Sequence, residues 1–147
     1  MIIETKLLGE VEINESEIIT FEQGLLGLPE YKNYILLSLD IDLPLALLQS
    51  TEVASIGFVI AFPYAFKKDF EFDLSEEDIQ DLKIASVEDV ITYAIVTLKE
   101  SFKDSTINLL APLVINTKTN TAKQIVLQDN SQYSLQFPLQ LEIGSAI

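Results

Sequence analysis

The chain has 147 residues, with 23 acidic side chains against 9 basic ones, a net charge of −14 and 48% apolar residues. That length and apolar content suit one domain with a real core, while the charge disfavours direct contact with nucleic acid or an anionic membrane, both of which need clustered cations. The absence of Cys, His and Arg excludes disulfides, thiol and Ser–His nucleophiles, histidine-ligated zinc and a guanidinium clamp on phosphoryl groups.

From the first residue, Met1 to Leu8 reads as a strand, Gly9-Glu10 as a turn, and Val11 to Ile13 as a strand pairing back on the first. Asn14 to Glu17 is a polar connection. Ile18 to Phe21 is a third short strand that runs into Glu22-Gln23-Gly24-Leu25-Leu26-Gly27-Leu28-Pro29. There Gly24 and Gly27 can take positive φ, and Pro29 keeps Leu28 out of the helical region. Leu25, Leu26 and Leu28 are unusually apolar for a turn and are expected to pack inward. A phosphate-binding loop is disfavoured, because neither glycine-rich fingerprint is present.

Tyr34 to Leu39 is a mostly apolar strand, Asp40 to Pro44 a turn, and Leu45 to Gln49 a strand buried on both faces. Ile56 to Phe62 is another strand, ended by Pro63. Phe70 to Leu74 alternates strictly, apolar against acidic, and reads as a strand. Ser75 is the best helix cap in the chain, followed by Glu76, Glu77 and Asp78 at the dipole's positive end; Ile79 and Leu82 would anchor about two turns. Val90 to Leu98 is β-branched and aromatic, hence a strand. Ile107 to Leu110 and Leu113 to Asn116 are strand-like around Pro112. Lys123 to Leu127 returns across the polar tip Thr117 to Thr121 as a hairpin. Asp129 to Ser131 turns again, Tyr133 to Leu139 is a last extended segment, and Gln140 to Ile147 is a tail without pattern. Together these predict an all-β chain with one short helix, a small antiparallel β-barrel-like or sandwich domain.

No apolar run reaches membrane-spanning length, and Met1 to Lys6 lacks the basic start of a secretory signal, so a cytoplasmic location is expected. The acid–base groups left for catalysis are carboxylates, Lys and Tyr. Glu22, Asp40, Asp42, Glu71, Asp73 and Asp104 stand nearest strand ends or turns, and a pair of them could in principle run a hydrolysis. Nothing selects a pair. Asp40-Ile41-Asp42 and Asp73 to Asp78 offer oxygen ligands without EF-hand spacing, so no metal and no cofactor is assigned. The segment Glu71 to Asp81 is more informative as a surface. Glu71, Asp73, Glu76, Glu77 and Asp78 gather acid beside Phe72 or Tyr93, either as a solvated face or as a docking site for a basic protein. A barrel with a small molecule in its interior is a further possibility, opposed by the leucine-rich strands, which predict a filled interior.

Several motifs in order resemble the FliW family of flagellar assembly factors. They are Phe21-Glu22-Gln23-Gly24-Leu25 with Gly27 and Pro29-Glu30, then Leu48-Gln49-Ser50, then Asn108-Leu109 with Ala111 to Asn116, and last Lys123 to Leu127. The opening Ile2 to Lys6 is also similar, and the resemblance covers residues 1–139, taken as one β-barrel domain with 140–147 as its tail. Leu26 stands where the family commonly has Pro, Leu28 where an aromatic is common, and Ala122 where Gly is common; Lys118 and Lys123 remain of the hairpin's basic residues. The resemblance implies a small β-barrel-like fold and a non-enzymatic regulator. It implies that flagellin and the translational repressor CsrA are the partners, exchanged so that flagellin synthesis follows secretion. On that reading Glu71, Phe72, Asp73, Glu76, Glu77, Asp78 and Tyr93 are the candidate partner-binding residues, on a CsrA-facing surface. The alternative is a carboxylate-based or metal-assisted enzyme on a small β-barrel.

Overall fold

Seven strands close on themselves. A computed structural model describes residues 1–39, 44–101, 104–127 and 133–139. Its ring runs β7 (Val90–Thr97), β6 (Gly57–Ala61), β5 (Leu45–Ser50), β4 (Asn33–Ser38), β3 (Ile19–Phe21), β10 (Thr121–Gln124) and β9 (Leu113–Asn116), and β9 pairs back on β7. Two further strands lie outside the ring: β8 (Thr106–Ile107) continues from β7 and carries β11 (Phe137–Pro138). β7 manages both neighbours on one edge, because Val90 to Tyr93 face β9 whereas Val96 and Thr97 face β8. A separate hairpin joins β1 (Ile2–Glu4) to β2 (Glu10–Glu12).

The barrel-like β fold with one short helix is as the sequence predicts, with one difference in the closure. β10 runs parallel to β3, with Thr121 opposite Thr20 and Ala122 opposite Phe21, while the other pairings are antiparallel. Alternation along β3 and β10 says which face is apolar and cannot say which way a distant neighbour runs.

Alternate residues of every ring strand point inward. Ile19, Phe21, Tyr34, Leu48, Ile60, Leu113, Ile115 and Ala122 are each at most 4% exposed and pack with Leu25 of the glycine turn. The outer faces are covered in three places. The β1–β2 hairpin lays Ile3 and Ile13 on Ile35 of β4. The segment from Phe66 to Phe72 and the C-terminal residues Tyr133 and Leu139 cover Ala61, Ala94, Val96 and Ile107. The short helix α1 (Glu76–Asp81), with Leu82 just beyond it, covers Val114 and Ile125.

The local predictions divide by whether a partner was needed. Gly24 and Gly27 do take positive φ, +67° and +83°, and a Cβ on Gly24 would lie 2.6 Å from Leu28 O and from the Cα of Pro29. Of the three turn leucines, Leu25 is buried and Leu28 partly so, but Leu26 is 61% exposed and does not pack inward. Met1 to Leu8 is strand only over Ile2–Glu4; Thr5 turns the chain by accepting from Leu8 N on its hydroxyl, and Glu10 already belongs to the second strand. Phe70 to Leu74 is not a strand, since no neighbour pairs with its backbone. Its alternation survives as packing, with Phe70, Phe72 and Leu74 turned to the barrel and Glu71 and Asp73 to water. Ile107 to Leu110 keeps only its first residue in β8, because Asn108 Oδ1 draws Leu110 N and Ala111 N into a turn. The turn expected at Asp40 to Pro44, except for Pro44 itself, the turn at Asp129 to Ser131 and the tail from Gln140 lie outside the described residues.

Candidate partner-binding surface

α1 begins as its sequence requires. Ser75 is extended (φ −69°, ψ 161°) and its Oγ accepts from Asp78 N, with Glu76, Glu77 and Asp78 in the first turn. The helix ends where Lys83 adopts φ +54°, and the carbonyls of Leu82 and Lys83 accept from the buried Asn116 side chain at 2.7 and 3.2 Å. Leu82 is 2% exposed and is the apolar anchor; Ile79, expected to share that task, keeps 37% of its surface exposed.

The helix is also held by charge. Lys123 on β10 donates from Nζ to Asp78 Oδ1 at 2.6 Å and to Asp81 Oδ2 at 3.0 Å. Partial burial alone would raise the Asp78 carboxyl; the Lys123 hydrogen bond, with help from Ser75, outweighs that and holds it below the ordinary carboxylate value. Asp78 hydrogen bonding pushes Lys123 above the usual ammonium value, against the effect of its own partial burial. Asp78 is therefore committed inside the molecule.

The other four acids are differently placed. Glu71 and Asp73 sit on the extended segment before the helix and Glu76 and Glu77 on its first turn; all four are exposed, and among the described residues none has an ion pair. Beneath them the segment is rigidly seated. Tyr133 Oη donates to Glu71 O at 2.8 Å and accepts from Glu71 N at 3.0 Å. Phe70 packs against Tyr133 and Phe72 with ring centroids 4.8 and 5.5 Å apart. Phe72 is half-buried between the outer core of β6–β7 and the one under α1.

Tyr93 is elsewhere. It packs with the inward-facing residues of the barrel, opposite Leu113, and stacks on Phe62 at 4.9 Å. The structure thus joins Phe72 to the acidic segment and separates Tyr93 from it. Tyr93 instead lines a cavity of about 200 Å³ at one end of the barrel. A filled interior was expected, and seven-strand closure with the short β3 leaves one end incompletely covered.

The carboxylates considered for catalysis do not converge on a buried site. Glu22, Glu71, Asp73 and Asp104 are exposed, while Asp40 and Asp42 lie outside the described residues. Among the described residues no group of three or more acids is arranged to hold a metal ion. No helix there is long and apolar enough to cross a membrane.

Comparison with known proteins agrees with the motifs. The sequence profile of the family described as FliW protein matches residues 2–139. The chain belongs to the FliW family. It is 43% identical to the flagellar assembly factor FliW of Bacillus licheniformis over 136 residues, covering 92% of this chain and 95% of that one. It is 42% identical to the Bacillus subtilis protein of the same name over 139 residues, covering 95% and 96%. A crystal structure of the flagellar assembly factor FliW superposes with a TM-score of 0.89 at 36% identity, covering 97% of this chain and 99% of that one.

The FliW motif residues turn out to build turns. Gln49 is fully buried; its amide nitrogen, with two hydrogens to donate, lies within 3.0–3.3 Å of the carbonyls of Ser50, Val53, Ala54 and Ile56, and its Oε1 accepts from Lys6 N. Ser50 Oγ accepts from Glu52 N and Val53 N. Gln124 links the glycine turn to the Pro112 turn, accepting from Leu26 N and donating to Ala111 O. These residues make the FliW signature largely a signature of the scaffold, and Glu71, Asp73, Glu76 and Glu77 lie outside it.

Proposed function

We propose that this chain is a cytoplasmic, non-enzymatic flagellar assembly factor that binds flagellin and the translational repressor CsrA, and that exchange between them couples flagellin synthesis to secretion. The observation that carries this reading is membership of the FliW family over residues 2–139, with relatives named flagellar assembly factors matched over nearly their whole length. The chemistry is consistent with action by occupancy. A chain without His, Cys or Arg has few means of catalysis, and a net charge of −14 suits a basic, RNA-binding partner.

Within this reading the repressor docks on the acidic segment. Glu71, Asp73, Glu76 and Glu77 supply the field, Asp78 fixes the helix that carries two of them, and Phe72 supplies the apolar footing. What supports that placement is the exposure of four carboxylates with no ion pair among the described residues, on a segment whose backbone is held by Tyr133. Isothermal titration with purified flagellin and with purified CsrA tests the function. Binding to both, with one partner changing the affinity of the other, is the expected result. Binding to neither, with both partners folded and active, would refute it.

A further inference from the structure

The barrel is open at one end, and what lies there is apolar. Ile19, Leu36, Ile91, Tyr93 and Ile115 form the floor and walls of the 200 Å³ cavity. Ile19 and Ile115 are buried, whereas Leu36, Ile91 and Tyr93 are only half-buried, although each faces inward like the residues of the filled interior. Phe62 stacks on Tyr93 and is 46% exposed, which extends the apolar surface outward.

The rim is polar and fixed. Asn120 donates from Nδ2 to Ser16 O at 2.8 Å, and its carbonyl accepts from Thr20 N at 2.9 Å. Thr117 donates through its hydroxyl to Asp89 O at 3.0 Å. The third rim residue, Glu17, is exposed and has no ion pair among the described residues. Beside it a shallow depression is lined by Glu12, Glu15 and Glu17 together.

We propose that this end of the barrel is a docking pocket for one apolar side chain, aromatic or leucine-sized, presented by a peptide segment that carries Lys or Arg beside it. Size decides between a side chain and a free ligand. Pockets for free organic ligands usually measure roughly 300–1,000 Å³ and enclose most of the molecule. This one is smaller and open on one side, which suits an anchor residue still attached to its backbone. Charge decides the neighbours of the anchor, because Glu17 stands at the opening, with Glu12 and Glu15 in the adjoining depression, and all three are exposed on the side from which a cation would approach. The pocket is distinct from the acidic segment before α1. It deepens the partner-binding reading and rests on it only in assigning the chain a protein partner.

Titration of the isotope-labelled full chain, followed by NMR of its Ile and Leu methyl groups, tests the pocket. The probes are acetyl-Lys-Phe-Lys-amide, acetyl-Lys-Ala-Lys-amide, acetyl-Glu-Phe-Glu-amide and phenethylamine. The first should shift the methyls of Ile19, Leu36, Ile91 and Ile115 saturably. The alanine peptide, which lacks the ring to bury, should bind at least about tenfold more weakly. The acidic peptide should also be weaker, and Glu17→Gln, at an exposed position that leaves the core intact, should weaken the first peptide about threefold and flatten its salt dependence. Unmoved cavity methyls with the Lys-Phe-Lys peptide would overturn the proposal. So would equal binding of the alanine peptide, which would leave charge alone. Phenethylamine binding as tightly as the peptide would make the site one for a free ligand, and cavity shifts that depend on protein concentration alone would assign it to a second copy. The outcome is separable from the proposed function: peptide binding here without binding of flagellin or the repressor would keep the pocket and refute that function.

Discussion

Tyr34 shows how much one inward-facing atom can matter. Its ring packs edge-on against Phe21 in the barrel interior at 5.5 Å, and its buried hydroxyl has no hydrogen-bond partner among the described residues. Burial, reinforced by the nearby charges of Glu52 and Glu30, pushes its pKa up to about 12. The shift makes the folded state resist ionisation, so its contribution is fully present below the unfolded tyrosine value of about 10 and is lost as pH rises toward 12. Tyr34→Phe removes the unsatisfied hydroxyl while keeping the ring. It should raise stability by about 1 kcal/mol at neutral pH and lessen the loss in alkali, as read by urea unfolding across pH. A destabilised variant would mean that the hydroxyl has a polar partner after all. Gly24 is a second such position, and a legible one: the sequence names a glycine before a Leu-Pro pair, and the close approach of Leu28 O and Pro29 explains why no side chain fits.

Among the elements, α1 is the one whose attachment bears on function. Its six residues are too few to be stable alone, so it depends on Ser75 at its start, Leu82 and Asn116 at its end, and Lys123 across to β10. Lys123→Met should cost about 1 kcal/mol. The pH dependence follows from the two shifts. The depressed Asp78 contributes above its unfolded value of about 3.9 and is lost as pH falls through the lower folded value. The raised Lys123 contributes below about 10.4 and is lost as pH rises through the higher folded value. The stability difference between wild type and Lys123→Met should therefore be level across neutral pH and shrink at both extremes, a pattern thermal unfolding over pH would reveal. A difference unchanged at both extremes would count against the ion pairs. This helix was legible because caps and dipole-compatible acids are local. Phe70 to Leu74 reads as a strand without being one, because alternation reports a half-buried segment, and only a neighbour turns such a segment into a strand. The place of Tyr93 is illegible for a related reason: alternation along β7 says that its side chain shares a face with Ile91 and Ile95, and only the closed ring makes that face the inside of the barrel.

For the molecule as a whole, the barrel separates two surfaces. The acidic segment and α1 lie on the outside of the ring, against β6–β7 and β9–β10, whereas the apolar cavity opens at the barrel end among β3, β4, β7 and β9. The FliW motifs made the family legible before any fold was known, because Gln49, Asn108, Asn116 and Gln124 each satisfy backbone groups that a turn or helix end leaves unpaired. They do not reveal where partners bind, since an exposed carboxylate has no structural duty to betray it. The measurement that bears most directly on action through charged docking is the stopped-flow association rate with purified CsrA, at low and high salt, for wild type and Glu76→Lys/Glu77→Lys. Association slowed about tenfold at low salt, with the difference vanishing at high salt, is the expected result. Equal rates with equal salt dependence would contradict it.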